Sequence, residues 1–270
     1  MKPQDLLEKA GDPRFISAIY NYCDRWCERC QFTSRCLVYA QEQEATDGSE
    51  TNDINNEAFW ERLKGIFEQT RELLTTMAAE QGINLDEVDW AEAKARERKR
   101  NAKSDSHELS RAAKRYAQMV DDWFDSHLPT IELALAAANE AGLPLVDFDH
   151  QEKLKRVGDA IDVIRWYQFQ IAVKIMRGLM QDDDEDEESE ASALGYQKDS
   201  DGSVKVALLG MSRSIGAWGR LSEDIPEQAQ AIVPILVHLE RLRRRTELTF
   251  PNAMSFIRPG FDEAPDAFVS

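Results

Sequence analysis

The sequence predicts an all-α fold, a helical bundle-like domain of about six helices with an acidic disordered loop. Apolar residues recur at spacings of three and four through most of the 270 residues. Prolines, glycines and short polar stretches interrupt that pattern at helix-length intervals. The one strand-like alternation, Val204, Val206 and Leu208, is short and merges into a helical pattern. No internal repeat is present.

Taken in order, Asp12 and Pro13 can open a first helix, with aspartate at the cap and proline in the first turn. It runs through Ile16, Ile19 and Tyr20, pauses near residues 31–34, and resumes through Leu37 and Tyr39. Residues 1–44 form this N-terminal segment, and the polar residues of 45–56 read as a linker. A bundle is expected over residues 57–249. Its first helix carries Phe59, Leu63, Ile66, Phe67, Leu73, Leu74 and Met77, and Gly82 ends it. A charged segment (residues 89–103) precedes a long helix over residues 104–141, which Pro129 should kink or split. The helix over residues 149–180 is the most apolar and the expected buried centre. Residues 181–203 are too acidic to bury apolar surface and read as a mobile loop. Ser212, Gly216 and Gly219 form a small-residue stripe on the next helix, where a second backbone could approach. A last helix runs from Pro226 to about Thr246, and residues 250–270 form an irregular tail.

Composition excludes several function classes. No stretch approaches eighteen uncharged apolar residues, so no membrane span is expected. The N-terminus lacks the apolar core of a signal peptide, so a cytoplasmic protein with reduced thiols is expected. Net charge is −17, and it is still −9 without the eight acidic residues of 182–190. Such a chain repels phosphate backbones unless one face is strongly basic, which argues against nucleic acid as partner. The basic residues of 94–103 and 111–115 read as solvated helix, with Glu92 and Arg96 as a one-turn pair. The partner class left open is another protein.

The chemistry concentrates in one motif, Cys23-x3-Cys27-x2-Cys30-x5-Cys36, which holds every cysteine of the chain. Four reduced cysteines within fourteen residues point to a metal centre. At 100° per residue, Cys23, Cys27 and Cys30 would point within an arc of about 60° on one helix face. Cys36 joins them only if the chain breaks between, and residues 31–34 supply that break, with Thr33 or Ser34 capping the restart. On regular helix, Cys23 and Cys30 would lie about 10.5 Å apart along the axis. A single zinc, with bonds of about 2.3 Å to sulfur, brings its ligands closer than that spacing favours. A [4Fe–4S] cluster separates its thiolates further and is the expected cofactor, with zinc as the alternative if the segment unwinds at residues 24–28. Arg25, Arg29 and Arg35 can offset thiolate charge, and Tyr20, Tyr22, Trp26 and Phe32 can wall the site. The spacing matches neither the bacterial ferredoxin run nor a paired C-x2-C zinc ribbon.

Other constellations are weaker. The Glu-x-x-His pairs of a di-iron bundle are missing; the nearest arrangement is Asp147 with His150, which reads as a helix start. His107 likewise sits at a helix start, and His238 reads as a hydrogen-bonded core residue. Asp162, Arg165 and Trp166 are candidate pocket residues if their helix is central. The expected function is that of an iron–sulfur helical protein with a redox, sensing or accessory role. The second reading is a helical protein-interaction module stapled by a structural zinc on the four cysteines.

Overall fold

Every regular element among the described residues is helical: seven α-helices joined by turns and short 3-10 segments, with no strand. The computed structural model describes residue 9 and residues 11–45, 54–140, 148–185 and 197–262. The helices are α1 (Leu37–Ala45), α2 (Glu57–Glu80), α3 (Trp90–Ser106), α4 (Glu108–Glu140), α5 (Phe148–Glu185), α6 (Asp199–Asp224) and α7 (Ala229–Thr249). None among the described residues is long and apolar enough to cross a membrane. The chain divides into two units, Met1–Glu97 with Arg258–Ser270, and Arg98–Ile257.

The second unit is a four-helix arrangement. Helix α6 packs on α5 and α7, and α4 packs on both α5 and α7. The most buried helix is α6 rather than the expected α5: Val204, Leu208, Met211, Trp218 and Leu221 are sealed from solvent along it. Helix α5 buries Val157, Ile164, Tyr167, Ile171 and Ile175 but leaves Phe169 and Val173 exposed. Its apolar residues run almost all round, so their number overstated how much of the helix is covered. Asp162 and Arg165 accordingly lie on the surface, where Arg165 sits over the Phe124 ring at 5.0 Å. Trp166 is half-buried.

Several polar groups inside this unit are matched to partners across it, although Ser110 Oγ and Trp123 Nε1 are buried without a hydrogen-bond partner among the described residues. Trp218 Nε1 donates to the Tyr116 hydroxyl at 3.2 Å, and both rings are fully enclosed. Burial pushes the Tyr116 pKa up to about 12. Gln168 Nε2 donates to the Ala117 carbonyl at 3.0 Å, tying α5 to α4. Lys205 Nζ donates to the Phe256 carbonyl at 2.6 Å, which holds the chain after α7 against α6. His238 is a hydrogen-bonded packing residue as expected, its Nε2 2.8 Å from the Ala112 carbonyl oxygen.

Several boundaries differ from expectation for local reasons. Pro129 lies inside an unbroken α4; the interruption comes instead at His107, whose Nδ1 accepts the Leu109 amide at 3.2 Å and starts that helix. The charged residues before it are helical, forming α3, where Arg96 and Glu92 approach to 4.0 Å. The acidic segment is shorter than the expected 181–203. Helix α5 continues to Glu185, and α6 starts at Asp199 with Ser200 and Ser203 buried. Arg177 donates to Asp199 at 3.2 Å and Ser203 to Gln181 at 3.2 Å, supplying the polar contacts that let these residues enter the fold. Residues 186–196 lie outside the described residues, as do Asp147 and the side chain of His150. Gly216 and Gly219 admit no close neighbour; the tight approaches are at Gly178, facing Val204, and Gly210, facing Tyr167.

Candidate metal centre

The cysteine segment lies in the first unit and is not an α-helix. Its short turns are Ile19–Asn21, Cys27–Arg29 and Thr33–Arg35, all 3-10, and Tyr22 to Trp26 is irregular. Ala18 and Arg25 both take the left-handed conformation at φ 58°, which no α-helix contains. Asp12 turns the chain rather than starting a helix. Its carboxylate accepts the Arg14 amide at 2.9 Å and is gripped by the Arg14 guanidinium, which holds its pKa below the usual carboxylate range. The Ile16 amide then donates to the Arg35 carbonyl at 3.0 Å, closing the segment into a loop. Ile16 and Ile19 are buried, and Gly260 comes so close to both that a Cβ there would stand 2.9 Å from Ile16 Cδ1. The long-range contact and this small core outcompete local helix propensity, which is a weak preference.

Within the loop, each cysteine sits at the end of a turn or in the irregular stretch. Cys23 donates through Sγ to the Tyr20 carbonyl at 3.5 Å. Cys27 opens the 3-10 turn whose far end is Cys30, with the Cys30 amide 3.1 Å from the Cys27 carbonyl. Cys30 is extended, and its Sγ accepts the Phe32 amide at 3.4 Å. Cys36 is also extended and stands directly before α1, where its carbonyl accepts the Ala40 amide at 3.0 Å. No α-helix precedes residues 31–34 among the described residues, so the expected pause and capped restart at Thr33 or Ser34 do not occur; Thr33–Arg35 is a 3-10 turn and α1 begins at Leu37.

All four cysteines are free, half-buried, and line one shallow pocket that opens to solvent. Tyr20, Trp26 and Phe32 line it as expected, together with Ile19, Val38, Tyr39 and Phe261; Tyr22 is not among its lining residues. Phe261 meets Phe32 edge-on at 5.1 Å. Its place more than two hundred residues from the motif left no trace in the local pattern. Glu42 was not singled out, because nothing in its local pattern marks it, yet α1 carries it to the pocket and to Arg25 at 3.9 Å. Of the three arginines, Arg25 lines the cavity, Arg29 stacks over Trp26 at 4.1 Å, and Arg35 donates to the Arg14 carbonyl at 3.5 Å.

Electrostatics tie the thiols together. Burial raises the Cys27 pKa, and the charge of Glu42 and of the three other cysteines raises it further. Cys27 is thus held as a thiol by the same neighbours that a bound cation would turn into co-ligands. Among the described residues, no three Cys, His, Asp or Glu side chains stand close enough together to hold a metal ion. The donor chemistry suits a thiophilic metal; the spacing as it stands is wider than a single-ion ligand set. The expectation of three cysteines on one helix face is overturned, and with it the 10.5 Å rise that weighed against zinc.

No protein-family model, no curated protein and no solved structure matches the chain. The cysteine cavity is therefore interpreted from its own chemistry.

Proposed function

We propose that Cys23, Cys27, Cys30 and Cys36 bind one metal centre, and that this centre is a [4Fe–4S] cluster serving a redox, sensing or accessory role. The observation that carries the reading is that all the cysteines of the chain line one cavity with no disulfide among them. Cysteines that line one pocket without converging on a point suit a polynuclear cluster, whose thiolate ligands are spread around a cube. Apolar and aromatic walls limit water, and the Phe32 amide bonded to Cys30 Sγ is the kind of contact that tunes cluster potential.

A second reading has an observation of its own. The chain unwinds at Arg25, so Cys23 and Cys27 are free of helical spacing, and convergence of the four thiolates would give a zinc site. In that case the first unit is a zinc-stapled protein-interaction module. Purification without oxygen of Cys30→Ser and Cys36→Ser beside the parent chain tests the shared claim. Both variants are expected to lose most bound metal, and visible charge-transfer absorption in the parent alone identifies a cluster. Equal metal content in all three proteins would remove the cysteines as ligands.

A further inference from the structure

The first unit carries a second feature that the cysteine site does not use. Helix α2 is 24 residues long, about 36 Å, and none of its residues is buried. Its apolar side chains nevertheless follow one register. Phe59, Ile66 and Leu73 alternate with Leu63, Thr70 and Met77 at spacings of four and three, and Trp60, Phe67 and Leu74 form a third column beside them. Trp60 is 53% exposed, Phe67 66% and Leu74 58%. Thr70 does not break the stripe, because its hydroxyl donates to the Ile66 carbonyl at 2.8 Å and leaves the methyl to pack. Helices of this kind draw most of their stability from covering such a face.

We propose that α2 pairs antiparallel with α2 of a second copy of this chain, making the protein a two-fold symmetric dimer. The register is complementary to itself when reversed. With the axis near residue 68, Phe59 meets Met77 of the second copy, Leu63 meets Leu73, and Ile66 meets Thr70. In the flanking column Trp60 meets the smaller Leu74, and Phe67 meets its own equivalent at the axis. On the opposite border Gln69 meets Gln69, and Arg62 faces Thr76. Glu61 and Glu68 fall on the far side of the helix, so the acidity of the chain is kept away from the seam. The exposed apolar surface of the stripe is roughly 600 Å² per chain, so a pair covers on the order of 1,200 Å², the lower bound for a stable specific interface. An isologous contact also satisfies the symmetry that most homo-oligomers adopt.

Sedimentation equilibrium on the full chain, purified without oxygen, tests this. The mass is expected to approach twice 30.8 kDa at micromolar concentration. Phe67→Glu, a substitution at an exposed position, is expected to return a single-chain mass by weakening association about a hundredfold or more. Phe169→Glu, on the exposed face of α5, is expected to leave the dimer intact. A single-chain mass for the parent at every concentration would overturn the proposal and assign the stripe to another occupant. A Phe67→Glu dimer, or a monomer produced by Phe169→Glu, would overturn the α2 pairing.

Discussion

Two alanine substitutions on the same helix should have opposite effects. Gly178 of α5 is buried, and a Cβ there would stand 2.4 Å from Val204 Cγ2 and 3.3 Å from the Ser200 carbonyl oxygen. Val204 is fully buried in α6 and β-branched, so its methyl has one favoured rotamer and nowhere to swing. Overpacking of this kind costs about 1–3 kcal/mol, against a gain of about 1 kcal/mol from replacing glycine within a helix. Gly178→Ala should therefore lose up to about 2 kcal/mol. Gly158, also on α5, is exposed, and a methyl added there would have nothing within 4 Å, so Gly158→Ala should gain about 0.5–1 kcal/mol. Urea unfolding followed by far-ultraviolet circular dichroism and by tryptophan fluorescence reports both. The double change Gly178→Ala with Val204→Ala should show coupling, since one removes the obstacle to the other. Equal stability of the two single variants would refute the close packing of α5 on α6.

Three further outcomes follow from the structure. Tyr116→Phe leaves Trp218 Nε1 buried without its acceptor and should destabilise the second unit by about 1–3 kcal/mol in the same unfolding experiment; an unchanged midpoint would contradict the bond. Glu240 is held by hydrogen bonds from Arg243 and Arg244, which lower its pKa to about 2. Its depressed pKa means the contribution is full above the ordinary carboxylate range and is lost progressively as pH falls from there through about 2; carboxyl titration by NMR should show the lowered midpoint, and Arg243→Gln should move it upward. Cys27 has a raised pKa, so without metal its contribution to the first unit is present below the ordinary thiol range and lost as pH rises through the raised value. Metal binding should then release protons and weaken on acidification, measurable by titration calorimetry in buffers of different ionisation enthalpy. Metal uptake with no proton release would contradict thiolate ligation.

The fold class was legible because apolar spacing of three and four is a local signal that each helix carries by itself. Helix α2 was readable this way, whereas the Ala112 carbonyl beside His238 was not. The signal fails where long-range contacts decide. Nothing near Ile16 reveals that Arg35 will accept its amide and Gly260 will close over it, so the cysteine segment was read as helix and is a looped series of turns. Pro129 was given too much weight, since it lies inside an unbroken α4, while His107 does stand at a helix start as expected. Within the second unit the small residues that matter to packing are Gly178 and Gly210, distinguished from Gly216 and Gly219 only by what faces them in space. For the site, the four cysteines could be read from residue type, but the pocket walls at Glu42 and Phe261 come from a helix whose extent the sequence does not mark and from the far end of the chain.

Whether the four cysteines share one metal centre decides the rest. Metal and acid-labile sulfide analysis of the full chain, purified without oxygen and paired with a count of reactive thiols, answers it. The expected result is about four iron and about four sulfide per chain with the thiols protected. One zinc per chain with protected thiols would retain the shared site and replace the cluster. Metal-free protein with all four thiols reactive would show that the cysteines hold no common centre.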